Sequence, residues 1–187
     1  KTGNIYVTTD YSVRKISADG KVTTMAGKPA QGDFKPGSGK EATFREIKAI
    51  AVDSKGNVYV AQNNNNGGGS SIAKISPAGL VSVFVGDINQ WEKEGVSPDG
   101  IGKAARFMQI NALTVDKNDN LLIGEKSRVR KVTPAGVVTT LAGNKTSDWR
   151  DAVGAKAMFR NIGGLCIDSK GNILVSDQFC IRKMVKQ

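Results

Sequence analysis

Short apolar stretches of four to six residues, each broken by Gly, Asn, Asp or Pro, run the length of this 187-residue chain. They recur in a fixed order. VTTMAG at 22–27, VSVFVG at 81–86 and VTTLAG at 138–143 each follow a basic-apolar stretch, RKIS, AKIS or RKVT. A Gly-rich loop then leads to Phe44, Phe107 or Phe159, and the alternations IKAIAVD, INALTVD and IGGLCID follow. The pairs Gly3-Asn4, Gly56-Asn57, Asp119-Asn120 and Gly171-Asn172 stand 53, 63 and 52 residues apart. A self-similar period of this length identifies a repeat architecture.

Each unit predicts four short strands. The first is Ala49–Asp53, Ala112–Asp116 and Gly164–Asp168; the second is Ile5–Thr9, Val58–Gln62, Leu121–Glu125 and Ile173–Asp177. The third is Val13–Ser17, Ile72–Ser76, Val129–Thr133 and Ile181–Val185; the fourth is Val22–Ala26, Val81–Val85 and Val137–Ala142. Val, Ile, Leu and Thr fill them, and the links DSKGN, DKNDN, ADGK and PAGL carry the residues that tight hairpin turns require. No stretch keeps a helical period. Antiparallel strands in fours predict an all-β fold, a β-propeller. One domain, 1–187, is expected: a partial blade 1–27, blades 44–86 and 107–143, and a partial blade 159–187. Three and a half blades of a larger ring would make an open arc whose edges favour self-association.

Charge and composition alter this picture little. The 27 Lys and Arg against 17 Asp and Glu give +10, which raises a polyanion as a partner. The same charge arises if Arg14-Lys15, Lys74, Arg130-Lys131 and Arg182-Lys183 are basic residues written once per repeat on one equivalent strand. Arg14, Arg130 and Arg182 are then expected to pair with Asp10, Glu125 and Asp177. No apolar run approaches the roughly 20 residues of a membrane helix. The chain has no histidine, which excludes Ser-His-Asp and Cys-His catalysis and His-containing metal triads within it. No cofactor is expected. Cys166 and Cys180 fall on strands separated by a third, too far apart to bridge, and are expected as free, mostly buried thiols.

The order GNVYVAQ…IAKISPAGLVSVFVG, and above all VRKVTPAGVVTTLAGN, resembles the NHL repeat. The likeness is to the secreted and surface NHL-repeat proteins of Bacteroidetes-type bacteria, which often carry an IPT/TIG module. It implies a β-propeller, commonly six-bladed, and an extracytoplasmic location (periplasm, cell surface or secreted). The Ala-Asp pair usual at the end of the second strand is kept loosely, as Ser176-Asp177, Thr9-Asp10, Ala61-Gln62 and Gly124-Glu125. Some NHL relatives are zinc-dependent amidating lyases that use histidines, which this chain lacks; others bind RNA on a basic face.

Candidate binding residues are aromatic and basic side chains on the loops. Phe34 precedes Phe44 by ten residues, Trp149 precedes Phe159 by ten, and Trp91 precedes Phe107 by sixteen. A Trp in a Gly-rich loop offers a stacking platform for a sugar or an anchor for a protein. Trp91 and Trp149, with Tyr11, Arg128 and Phe179 from the loops between second and third strands, form the expected ligand-binding set. Asp53, Asp116 and Asp168 stand where a turn needs a cap, without the further oxygens calcium requires. GSGK at 37–40 lacks the strand, helix and Lys-Ser/Thr of a phosphate loop. The expected function is a non-catalytic binding or scaffolding propeller for a glycan or protein. The alternatives are RNA binding through the basic surface, or an extracellular lyase or hydrolase with catalytic residues in further blades.

Overall fold

The computed structural model describes residues 3–28, 32–64, 69–90 and 97–185. Four antiparallel sheets follow one another along the chain as the blades of a β-propeller. The first holds β1 (Ile5–Thr8), β2 (Ser12–Ile16) and β3 (Val22–Gly27). The second holds β4 (Gly37–Ser38), β5 (Glu46–Val52), β6 (Val58–Asn63), β7 (Ser70–Ile75) and β8 (Leu80–Gly86). The third repeats this as β9 (Gly100–Ile101), β10 (Ile110–Val115), β11 (Leu121–Glu125), β12 (Arg128–Val132) and β13 (Val137–Gly143). The fourth holds β14 (Ile162–Ile167), β15 (Ile173–Asp177) and β16 (Cys180–Met184). The four-strand meander expected of each blade is present in the second and third sheets. It gains a fifth, two-residue strand there: β4 pairs with β8, and β9 with β13.

The turns behave as their residues demand. Asp53 Oδ1 accepts the Lys55 and Asn57 N–H groups while its Oδ2 takes the Asn57 amide. Asp116 with Asn118 and Asn120, and Asp168 with Lys170 and Asn172, repeat the arrangement. The repeated acids are therefore turn caps. The bond from the Asn172 side chain is the main reason the Asp168 carboxyl lies below its ordinary value. Asp119 occupies the left-handed position that Gly56 and Gly171 fill elsewhere, at φ +61°. Its carboxylate crosses to the preceding sheet, accepting the Ser54 N–H at 2.8 Å and the Ser54 hydroxyl at 2.6 Å.

Three apolar clusters lie between successive sheets, each built around one repeated Phe. Phe44 packs with Val13, Ala26, Val58 and Ile75; Phe107 with Ile72, Val85, Ile110 and Ile123; Phe159 with Val129, Ala142, Ile162 and Val175. All three rings are at most 3% exposed, so each removes a large apolar area from water. The last residue of the fourth repeat strand approaches that ring. Gly143, at φ +89°, would place a Cβ 2.2 Å from the Ser127 carbonyl and 3.0 Å from Phe159, and Gly27 and Gly86 are as tightly placed. No larger residue fits there.

Hydrogen bonds also join the sheets. The Ile47 N–H donates to the Asp10 carbonyl and the Ile162 N–H to the Lys126 carbonyl. Between the second and third sheets a side chain does this work: Asn63 Oδ1 accepts from the Ile110 N–H and its amide donates to the Ile110 carbonyl.

Two expectations need correction. Cys166 and Cys180 are free, as their separation by β15 requires, but both are exposed. Cys166 occupies the repeat position of Ala51, which packs against the following sheet, and among the described residues none covers that face of β14. Arg14 makes no ion pair with Asp10: Thr9 stands at the acid position, Asp10 is exposed, and the Arg14 Nε is buried without a hydrogen-bond partner.

Candidate functional site

The third and fourth sheets each bury an arginine against paired carboxylates. Glu125 and Arg130 are respectively 1% and 0% exposed, and they pair at 3.0 Å. Arg130 continues to Asp99 at 2.8 Å and to the Pro98 carbonyl at 2.9 Å, and its guanidinium lies 4.7 Å from the Phe107 ring centre. Burial alone would raise the Asp99 carboxyl, but hydrogen bonds from Thr140 and Arg130 outweigh it and hold it low. The fourth sheet repeats the motif: Arg182 pairs with Asp177 at 3.1 Å and with Asp151 at 2.7 Å, 4.4 Å from the Phe159 ring centre. Both pairings expected of Arg130 and Arg182 are present. A guanidinium paired, hydrogen-bonded and stacked in this way holds the loop onto its sheet.

Arg128 belongs to the same scaffold. It was expected on the loop surface, yet it is 6% exposed. Its Nε donates to Glu125 Oε2 at 3.0 Å and its Nη1 to the Ser97 carbonyl at 3.1 Å. With its donors spent internally, Arg128 is unsuited to meet a ligand. Tyr11 is half-buried on the β1–β2 loop and does not border the cavity described below. Phe34 stacks on Phe44 with ring centres 6.0 Å apart, a packing role. Trp91 lies outside the described residues.

Trp149 and Phe179 are brought together. They line a cavity of about 390 Å³ with Arg160, Asp177, Gln178 and Cys180. Trp149 is 54% exposed and Phe179 87%. The Trp149 loop is fixed from behind by backbone bonds between Arg150 and Met158 in both directions, and by the Ser147 hydroxyl donating to the Arg160 carbonyl. Asp177 holds the floor: its Oδ1 accepts the N–H groups of Arg160 and Asn161, each at 2.9 Å. The β15–β16 turn is anchored in turn by the Gln178 N–H on the Asn161 carbonyl and the Cys180 thiol on the Asp177 carbonyl. Gln178 takes φ +50°, which sets its neighbour Phe179 at the rim.

Arg160 was not anticipated, although its signal was present. It follows Phe159 as Arg45 follows Phe44, and in each case an Asp stands twelve residues earlier: Asp148 for Arg160, Asp33 for Arg45. Both pairs form, Arg45 with Asp33 in direct contact and Arg160 with Asp148 at 3.8 Å. Half-exposed and so loosely paired, Arg160 keeps donors available to the cavity. Two exposed aromatic faces, a guanidinium and an amide make a surface suited to stacking and hydrogen bonding. Its acid, Asp177, is already committed to Arg182 and to backbone N–H groups. Among the described residues no group of three His, Cys, Asp or Glu is placed to hold a metal ion.

No protein-family model matches the chain, and no curated protein matches it. Solved structures do. A protein of unknown function from Bacteroides thetaiotaomicron is similar over 98% of this chain and 66% of its own, with 22% identity and a TM-score of 0.55. An auxiliary nutrient binding protein from Bacteroides ovatus is similar over 97% and 66%, with 15% identity and a TM-score of 0.51. Virginiamycin B lyase from Staphylococcus aureus is similar over 100% and 53%, with 15% identity and a TM-score of 0.55. The chain thus spans between about half and two thirds of the length of these structures. Their names include a binding protein and an enzyme, so the shared fold does not choose between those functions. At these identities the likeness identifies an architecture: this chain is a β-propeller.

Proposed function

We propose that the chain is part of an exported, NHL-type binding propeller that presents its loop face to a glycan, with the Trp149–Phe179 cavity as the contact site. The observation that carries this reading is the pairing of two exposed aromatics, from separate loops, on a rigid hydrogen-bonded floor. Single exposed aromatics are ordinary, whereas two facing one cavity with Arg160 and Gln178 form the mixed apolar and polar lining of a ligand site. The volume of about 390 Å³ suits one or two sugar rings. Trp149 would stack on a ring face, Phe179 would close the rim, and Arg160 and Gln178 would donate to hydroxyls. A non-catalytic role fits an acid that is fully engaged in the scaffold. An extracytoplasmic location fits both the repeat type and the Bacteroides neighbour described as an auxiliary nutrient binding protein.

Arg128, Arg130 and Arg182 face inward onto Glu125, Asp99, Asp177 and Asp151, so an RNA-binding surface would have to be built from the other basic residues. Calorimetry against a panel of soluble polysaccharides tests the proposal. At least one should bind, and Trp149→Ala or Phe179→Ala should weaken it about tenfold or more, the loss expected for one stacking anchor. Equal affinity in both variants would remove the aromatic site. Salt-sensitive retention of RNA in place of glycan would move the function to the basic surface.

A further inference from the structure

The cavity between Trp149 and Phe179 is rich in donors and poor in acceptors. Asp177, the one carboxylate in its lining, is 2% exposed and has both oxygens engaged. Its Oδ1 takes the N–H groups of Arg160 and Asn161, and its Oδ2 takes Arg182. Two neighbouring carbonyls are engaged as well, that of Asn161 by the Gln178 N–H and that of Asp177 by the Cys180 thiol. The other polar lining groups are the Trp149 indole N–H, the Gln178 amide and the Arg160 guanidinium. Of these three only Gln178 can also accept. A neutral sugar hydroxyl both donates and accepts, so such a wall serves mainly one of its two roles. A carboxylate accepts only, and a guanidinium meets it with two parallel bonds.

The second sheet shows what sets Arg160 apart. Arg45 holds the same repeat position, touches Asp33 directly, and has a side chain only 20% exposed. Phe34, at the position of Trp149, stacks on Phe44. In the fourth sheet the same elements are opened. Arg160 is 53% exposed, Asp148 stands 3.8 Å away and is 59% exposed, and Trp149 is 54% exposed. Water screens so loose a pair, and the guanidinium can exchange Asp148 for a better acceptor at little cost. A second guanidinium, Arg182, lies 5.9 Å from the Trp149 ring centre, but Asp177 and Asp151 already meet its charge.

We propose that the glycan taken by this cavity is acidic, with the carboxylate of a uronic-acid residue on Arg160 and its ring face on Trp149. This assignment rests on the glycan reading above and adds the class of sugar to it. Asp148 is then an internal competitor, holding Arg160 until a sugar carboxylate displaces it. One named side chain, and not the net charge of the chain, selects the ligand. A neutral glycan of the same shape keeps the stacking contact and loses the ion pair.

The test is calorimetry of the intact chain with polygalacturonate and alginate, each beside its methyl-esterified form, which keeps the rings and loses the charge. The acidic forms should bind about tenfold more tightly or better. Arg160→Gln should bring the acidic and esterified forms to within about twofold of each other. Asp148→Asn should tighten the acidic polymers about threefold by removing the competitor. Trp149→Ala should weaken both forms alike. Equal affinity for acidic and esterified polymers, lowered in both by Trp149→Ala, would overturn the acidic assignment and leave the glycan reading standing. Acidic-polymer binding that ignores Arg160→Gln and Trp149→Ala but falls steeply with salt would overturn the site and move the polyanion to the basic surface. No binding of any polysaccharide would overturn both readings.

Discussion

The second and third sheets solve one packing problem with opposite chemistry. In the third, Glu125, Arg128, Arg130 and Ser97 form a buried ionic and hydrogen-bonded cluster over Phe107. At the same repeat positions the second sheet has Gln62, Ser71, Ala73 and Phe34. Gln62, fully buried, accepts the Arg45 N–H and donates to the Ser71 hydroxyl, and Phe34 stacks on Phe44 where the third sheet has an arginine. Two neutral hydrogen bonds and a ring thus stand in for three charges. Buried ion clusters can be replaced by neutral packing at little net cost, whereas removing one member is expensive. The difference teaches that the charge on this chain is interchangeable building material at repeat positions, and that partial replacement is the dangerous step.

The sharpest way to break the comparison is Glu125→Ala. It removes the carboxylate that pairs with Arg128 and one of the two that pair with Arg130, and urea denaturation should show a loss of about 3 kcal/mol or more. Writing the second sheet into the third, as Ser97→Phe, Glu125→Gln, Arg128→Ser and Arg130→Ala together, should recover most of that loss. If the quadruple variant is no more stable than Glu125→Ala, the two clusters are not equivalent. A smaller effect is expected for Asp99→Asn, about 1 kcal/mol at neutral pH because Asp99 is 44% exposed. Its carboxyl sits below the ordinary 3.8 in the folded state. Its contribution is therefore present above that value and lost as pH falls through the lowered one. The gap between wild type and Asp99→Asn should close on acidification below 3.8. Least of all, Lys28→Ala should change stability by under about 0.5 kcal/mol, since the Lys28–Glu41 pair is 48% and 74% exposed.

The parts legible in the sequence were those set by local chemistry. Short apolar runs such as those in Val58–Asn63 and Leu121–Glu125, bounded by Asp-x-x-Gly or Asp-x-x-Asp turns, placed every strand of more than two residues. The acids and arginines of one hairpin were legible as neighbours, and their pairs form diagonally across it: Arg130 faces Ile123 and Arg182 faces Val175, two residues before the acid. β4 and β9 escaped notice since two residues cannot display a period. The exposure of Cys166 and Cys180 depends on what packs against the fourth sheet, which no local pattern records. Arg128 was misplaced because a loop position between variable residues looks solvated until Ser97, thirty-one residues away, is seen to cap it. For the candidate site, Trp149 and Phe179 were legible singly as loop aromatics. Their meeting was not, since it depends on a turn in which Gln178 adopts a positive φ.

The Asn63 side chain, which offers Ile110 both an acceptor and a donor, acts as a stray peptide group spliced between two sheets. With the Ser54–Asp119 link at the opposite turns, it ties neighbours at both ends of their strands. Cooperativity in such a molecule is built joint by joint: each sheet is steadied by the one beside it. Asn63→Ala should loosen the second sheet from the third without parting them, since the Phe107 cluster and the Ser70–Phe107 backbone bond still join the two.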